Sequence, residues 1–194
     1  MKKLGLAALA LILCLTGCGQ LPPAQAADGA AWSDDWVTVG NVVGVDTPED
    51  MTARENIDAL SAKGMYYATW SIGDMEPYIN EDGDDAEVYD AQIYLLLAGF
   101  TSAEKAEETA AEWEGLANDR YTVNEAQTVT CNGQEFTVLT YAFASETNPY
   151  AVGASAFGVY RNYAVSVELS CRDGFTGDPL EVLTDFLNHC HYST

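Results

Sequence analysis

Several groups of side chains in this sequence could do chemistry. In the run Asn80-Glu81-Asp82-Gly83-Asp84-Asp85-Ala86-Glu87, the carboxylates of Asp82, Asp84, Asp85 and Glu87 crowd around a glycine. Hard oxygen donors of this kind are what calcium takes. The spacing departs from an EF-hand loop, because Gly83 comes too early and no Glu stands twelfth from Asp82. A solvated acidic loop is the plainer reading. His189-Cys190-His191 offers nitrogen and sulfur donors. On a helix, residues 189 and 191 point about 200° apart, so the two imidazoles can share an ion only if the helix has already ended. Gly153-Ala154-Ser155-Ala156-Phe157-Gly158 lacks the spacing of a nucleophile elbow and reads as strand. With 30 acidic residues, a carboxylate pair for glycoside hydrolysis cannot be placed by counting. Trp32, Tyr78, Tyr89 and Tyr150 sit in or beside loops. They are suited to stacking on a sugar or peptide, or to closing the edges of the core. No cofactor motif is legible.

The chain opens with Lys2 and Lys3 and an apolar run from Leu4 to Leu15, the n- and h-regions of a secretory leader. The run is too short for a comfortable membrane span, which takes about 20 residues. It ends Leu15-Thr16-Gly17-Cys18, which resembles the bacterial lipobox. That resemblance implies diacylglycerol on the Cys18 thiol and cleavage before it. Two acyl chains suffice for stable anchoring to a bilayer without a transmembrane helix. The expected organisation is a signal peptide over 1–17, a lipidated cysteine and flexible tether over 18–35, and one domain over 36–194. The expected location is the extracytoplasmic side of a cell membrane.

Removing Lys2 and Lys3 with the leader leaves 30 acids against 6 bases, a net charge near −24. Nucleic acid and flat binding to anionic lipid both need basic patches, so this balance argues against each. Of the five cysteines, Cys131, Cys171 and Cys190 fall in the domain. An odd count in an exported chain allows one disulfide and one free thiol. Cys131 ends a strand just before the Asn132-Gly133 turn, and Cys171 falls at the opposite end of the sheet. The last helix returns about 18 Å from Pro179 to Cys190. Any disulfide is therefore expected to join Cys131 to Cys190 and leave Cys171 a buried thiol.

The elements that must position these groups follow from pattern. Trp36–Val45 reads as a strand with two glycines. Thr47-Pro48-Glu49 carries a helix-start signal, predicting a helix over 48–63. Met65–Ile72 is a strand, 73–86 an acidic loop, and Glu87–Ala98 a strand. Thr101-Ser102-Ala103-Glu104 is a capping box with Thr101 as cap, opening a helix over 102–117. Thr128–Cys171 holds four antiparallel strands, with Asn132-Gly133 as the strongest hairpin signal. Asp178-Pro179 opens a last helix running to about His191. The fold class is α+β: a mainly antiparallel sheet with a C-terminal four-strand meander, packed by two or three helices.

The opening strand with its Pro-containing turn (Val42–Pro48), the step through Tyr94–Ala117, the Asn-Gly meander and the closing helix resemble the PsbP-like fold. Members of that family include extrinsic photosystem subunits and exported bacterial lipoproteins. The resemblance implies a non-enzymatic accessory or binding domain with an unknown protein or glycan partner. Two alternatives come from the residues: a hydrolase of envelope or nutrient polymers, and a calcium-dependent binding module.

Overall fold

A computed structural model describes residues 36–40, 42–57, 64–80, 83–143 and 148–192. Ten strands and two helices are found there: β1 (Trp36–Val39), β2 (Val43–Asp46), β3 (Met51–Ile57), β4 (Met65–Ile79), β5 (Asp85–Gly99), α1 (Ala103–Arg120), β6 (Thr122–Cys131), β7 (Gln134–Ala142), β8 (Tyr150–Tyr160), β9 (Tyr163–Arg172), α2 (Pro179–Asn188) and β10 (Cys190–Tyr192). The main sheet has seven strands in the order β3-β4-β5-β9-β8-β7-β6, every neighbouring pair antiparallel. A three-stranded sheet, β1-β2-β10, is separate from it. The fold is α+β and mainly antiparallel.

Both faces of the main sheet are buried. Ile93, Leu95 and Leu97 of β5 turn into one core with Val165, Val167 and Leu169 of β9. The small sheet and α2 lie on that side through Val37, Val43, Val45, Leu183, Phe186 and Leu187. Leu96, Ala98 and Ala164 turn the other way, against Ala106, Ala110, Trp113 and Ala117 of α1. Two-sided burial explains the unbroken run Leu95-Leu96-Leu97, since alternation is not needed where both faces are dry. Trp70 anchors the first core. Its ring meets Phe186 edge-on at 4.8 Å, and its indole N–H donates to Thr47 Oγ1 at 3.1 Å.

That last bond corrects one expectation. Thr47 accepts from Trp70 and does not cap a helix. Residues 48–50 make a tight turn, with Met51 N–H donating to Pro48 O at 3.0 Å, and the chain then continues as β3. Met51 is buried, Thr52 exposed and Ala53 partly buried, a two-residue period that suits an edge strand on β4. Pairing with β4 overrode the local start signal; residues 58–63 lie outside those described. Other boundaries also move. The first strand is a hairpin, β1–β2, and β6 begins at Thr122. The residues expected as an acidic loop are largely strand, because β4 runs on to Ile79 and β5 starts at Asp85. The cap of α1 is Ser102, whose Oγ accepts from Lys105 N–H, one residue later than expected. The helix α2 stops at Asn188, and the chain closes as β10 beside β2.

The small sheet depends on a close approach. A Cβ on Gly44 would lie 2.2 Å from the Trp36 ring, so only glycine lets that ring lie across β2 and stack on His191 at 5.6 Å. At the far side, Asn132 adopts φ 47 in the β6–β7 turn. Its amide donates to Asn188 O at 2.5 Å and to Cys190 O at 2.9 Å, fastening the turn to the α2–β10 junction. Asn132→Gly keeps the turn conformation and loses both bonds. It is expected to lower stability by about 1–3 kcal/mol, read as a lower urea midpoint with an unchanged slope.

Candidate functional site

Strand alternation places two rows of polar side chains on the α1 side of the main sheet. One row crosses Thr69, Tyr94, Glu168 and Ser155 on β4, β5, β9 and β8. The next crosses Ser71, Gln92, Ser170 and Gly153. Thr69, Ser71, Ser155 and Ser170 are buried, while Gln92, Tyr94 and Glu168 are partly exposed. The apolar side chains that meet α1 lie beyond these rows, toward Ala98 and Ala164.

Aromatic rings lie over and beside the rows. Tyr67 stacks on Tyr94 at 5.9 Å. Tyr121, just past the end of α1, stacks on Tyr141 at 4.0 Å with 12° between the planes. Phe143 meets Tyr121 edge-on at 5.2 Å and lies 6.4 Å from Tyr150. Tyr150 in turn feels both Tyr94 and Tyr89. The Tyr141 ring rests on Gly153, where a Cβ would come within 2.8 Å of it. Its hydroxyl pairs with Ser155 Oγ at 2.9 Å.

Glu168 stands in the middle of this arrangement. Tyr121 OH donates to its Oε1 in a long hydrogen bond of 3.5 Å. Burial raises the Glu168 carboxyl above the usual range; Arg120 and hydrogen bonds from Tyr121 and Ser170 work against that rise. Burial first and the Glu168 charge second raise the hydroxyls of Tyr94 and Tyr121, and in the same order that of Tyr141. These hydroxyls therefore stay protonated as donors. A polar floor under amphipathic rings can stack on a flat ligand while hydrogen-bonding its edges.

The residues singled out in the sequence are dispersed. Trp32 and Asp82 lie outside the described residues, as does Cys18. Asp84, Asp85 and Glu87 do not converge, and among the described residues no three potential ligands gather as a metal site. Asp84 N–H closes the β4–β5 turn on Asn80 Oδ1 at 2.8 Å. Glu87 instead accepts from Tyr89 OH at 3.0 Å and lies 3.8 Å from Arg54. His189 caps α2 and contacts Asp46 O through Nδ1, while His191 stacks on Trp36. The helix ends at Asn188, ahead of both histidines, and each imidazole has a different partner. Ser155 lies in the middle of β8, bonded to Tyr141. Tyr89 is buried and Tyr78 half-buried beside the β4–β5 turn; of the loop aromatics named from sequence, Tyr150 alone joins the ring layer.

Cys131, Cys171 and Cys190 are buried free thiols, so no bridge links Cys131 to Cys190 in this structure. Cys131 lies near Cys190 and adds to the effect of burial in raising its thiol pKa. Cys131 Sγ faces Thr184 O and Cys190 Sγ faces Phe186 O, both on α2. Cys171 pairs with Ala91 and Val152 at the opposite end of the sheet, where burial pushes its thiol up to about 12.

Sequence reading missed Glu168, Tyr94, Tyr121 and Tyr141. A signal was present for Glu168: Ser166, Glu168 and Ser170 alternate with Val165, Val167, Leu169 and Cys171, marking a second, polar face. The rings gave none, since Tyr is as common in strand cores as at their edges.

No protein-family model and no curated protein sequence matches this chain. Among the solved structures similar to it are three at 10–12% identity. One is a crystal structure from Bacteroides thetaiotaomicron VPI-5482, with TM-score 0.49 and 12% identity; the overlap covers 81% of this chain and 47% of that one. The chain thus spans about half of that structure's length. Another is the solution structure of cyanobacterial PsbP (CyanoP) from Synechocystis sp. PCC 6803, with TM-score 0.46 and 10% identity, covering 86% of this chain and 98% of that one. The third is the protein of unknown function PA94 from Pseudomonas aeruginosa, with TM-score 0.36 and 11% identity, covering 60% of this chain and 95% of that one.

Two outcomes follow from the site. A carboxyl whose folded pKa is raised binds its proton more tightly in the folded chain. Folding then loses stability as pH rises from the unfolded value through the folded one. Glu168→Gln should therefore melt higher than the parent at pH 7–8 and alike below about pH 4. If the purified domain is oxidised, non-reducing peptide mapping should recover Cys131 with Cys190 and leave Cys171 alkylatable only after unfolding.

Proposed function

We propose that this chain is a membrane-anchored extracytoplasmic lipoprotein whose folded part is a non-enzymatic binding or accessory domain. The anchor is Cys18, with residues 19–35 as tether and the bilayer as its first partner. Among the described residues no helix is long and apolar enough to cross a membrane, and a lipid on Cys18 supplies the attachment without one. The observation that carries the binding reading is the row of rings, Tyr94, Tyr150, Phe143 and Tyr121, partly exposed above Ser155, Glu168 and Ser170. The ligand it suits is a protein segment or glycan with flat apolar faces and hydroxyl or amide edges. The PsbP-like resemblance in element order implies the same accessory role, and the acidic balance leaves nucleic acid aside.

A second reading is an envelope or nutrient polymer hydrolase. Glu168, held toward its protonated form, is the residue it would use as general acid. Titrating the intact protein with soluble envelope glycan fragments, while following both protein fluorescence and the fragments themselves, separates the two readings. Saturable binding that weakens about tenfold in Tyr150→Ala, with the fragments unchanged, supports the binding domain. Bond cleavage lost in Glu168→Gln would replace it with the hydrolase. Saturation only with calcium present would favour the calcium-dependent module. For the anchor, Cys18→Ala is expected to abolish lipid labelling and to leave the protein unprocessed or released. Membrane retention after leader removal would refute it.

A further inference from the structure

Two strands of the main sheet continue alone beyond it. The β3 ladder on β4 stops at Met51 and Ile72, and the β9 ladder on β5 stops at Cys171 and Ala91. Past those points β4 and β5 pair only with each other, from Met75–Tyr89 out to Ile79–Asp85. The ribbon is held at its base. Arg172 on β9 reaches Glu76 at 2.6 Å and Asp90 at 3.8 Å, Arg54 on β3 lies over the Tyr89 ring at 4.9 Å, and Asp74 N–H donates to Asp90 at 3.2 Å.

One face of this ribbon carries an open apolar strip along β4, flanked on β5 by the exposed carboxylates of Glu87 and Asp85 that pair with Pro77 and Ile79. Met75 and Ile79 are 49% and 59% exposed, with exposed Pro77 between them at the two-residue period of a strand. Among the described residues only Trp36 is a comparably exposed large apolar side chain. Around this strip, residues 73–90 carry eight acids and no lysine or arginine. A second copy of the ribbon is a poor occupant, because even with Arg54 and Arg172 at its base the acids of one copy outnumber the cations the other could offer. The tether residues 19–35 have three acids and no base to offer. An anionic lipid surface is repelled for the same reason. Pro77 has no N–H to give an added strand, so the contact is made by the ribbon's face more readily than by its edge.

We propose that the β4–β5 ribbon is a docking finger for another protein, one that presents a groove with an apolar floor for Met75, Pro77 and Ile79 and a lysine- or arginine-rich rim. This rests on the reading of the domain as a binding module and names a second surface on it. The contact forms fast and weakens with salt, as acid–base rims do.

The test uses the full-length chain in its own host, with a photo-crosslinking amino acid placed at Ile79. Controls carry it at Glu112 on the outer face of α1 or at Tyr94 in the ring layer. A discrete adduct from position 79 and not from 112 is expected, with a second protein whose crosslinked segment carries more bases than acids. Asp84→Lys with Asp85→Lys, in exposed positions, should cut its yield about tenfold while leaving the circular dichroism unchanged. No adduct, an adduct with a second copy or with lipid, or one indifferent to charge reversal overturns the proposal. Adducts from position 94 with none from 79 would overturn the finger alone and leave the binding domain standing.

Discussion

Residues 91–99 of β5 have a strand on each side, a packed core on one face and, near Leu96 and Ala98, α1 on the other. From this the rest of the structure follows. Where a layer covers it, a strand so placed can keep no polar group without a partner in the protein. Apolar residues meet that demand toward α1 near Leu96 and Ala98. Farther along, Gln92 and Tyr94 require polar neighbours, and Ser71, Thr69, Ser170 and Glu168 stand in register beside them. The polar rows and the rings over them are thus consequences of a sheet longer than the layer that covers it. The 18 residues of α1 span about 27 Å. The strands it packs against, β8 with 11 residues and β9 with 10, run about 33–36 Å.

Local signals were legible wherever a segment's own chemistry decided the outcome. Asp178 and Pro179 start α2 as expected, with Asp178 Oδ1 accepting from the amides of Leu180 and Glu181. The Asn132-Gly133 turn joins β6 to β7, and the alternation in 163–172 marks a strand with two faces. Partners distant in sequence decided the failures. Thr47 and Pro48 look like the start of a helix, but Trp70, 23 residues away, claims the Thr47 hydroxyl and β4 claims the backbone that follows. The acidic run after Gly73 looks like a loop, yet cross-strand pairing holds most of it extended. Of the candidate site, Tyr150 as a stacking ring and the polar phase of β9 could be read in advance. The gathering of rings from β4, β5, β7, β8 and the α1–β6 junction depends on strand order, which periodicity does not encode.

The three thiols show how much a sheet's direction matters to chemistry. Cys131 and Cys171 are both strand residues on the same core face, yet they occupy opposite ends because three strand passages, β7, β8 and β9, separate them. Only the end near Asn132 is met by the returning chain. The amide of that asparagine therefore sits where α2, β10 and the β6–β7 turn converge, and it satisfies the Asn188 carbonyl that helix termination would otherwise leave open as well as that of Cys190 on β10.

The small sheet also sets how the domain would bear a pull. Its first strand, β1, is joined to β2 by four residue pairs, and Trp36 is at the open end, away from the turn at Gly40. Tension entering at Trp36 would peel that ladder one rung at a time, beginning with the ring stacked on His191. It would not shear the long ladders of the main sheet. Behind β1, β2 stays clasped by β10 through Val43, Gly44 and Val45. A load entering ahead of Trp36 would therefore be absorbed in a short frayed entry strand, leaving the ring-covered face and its ribbon in place.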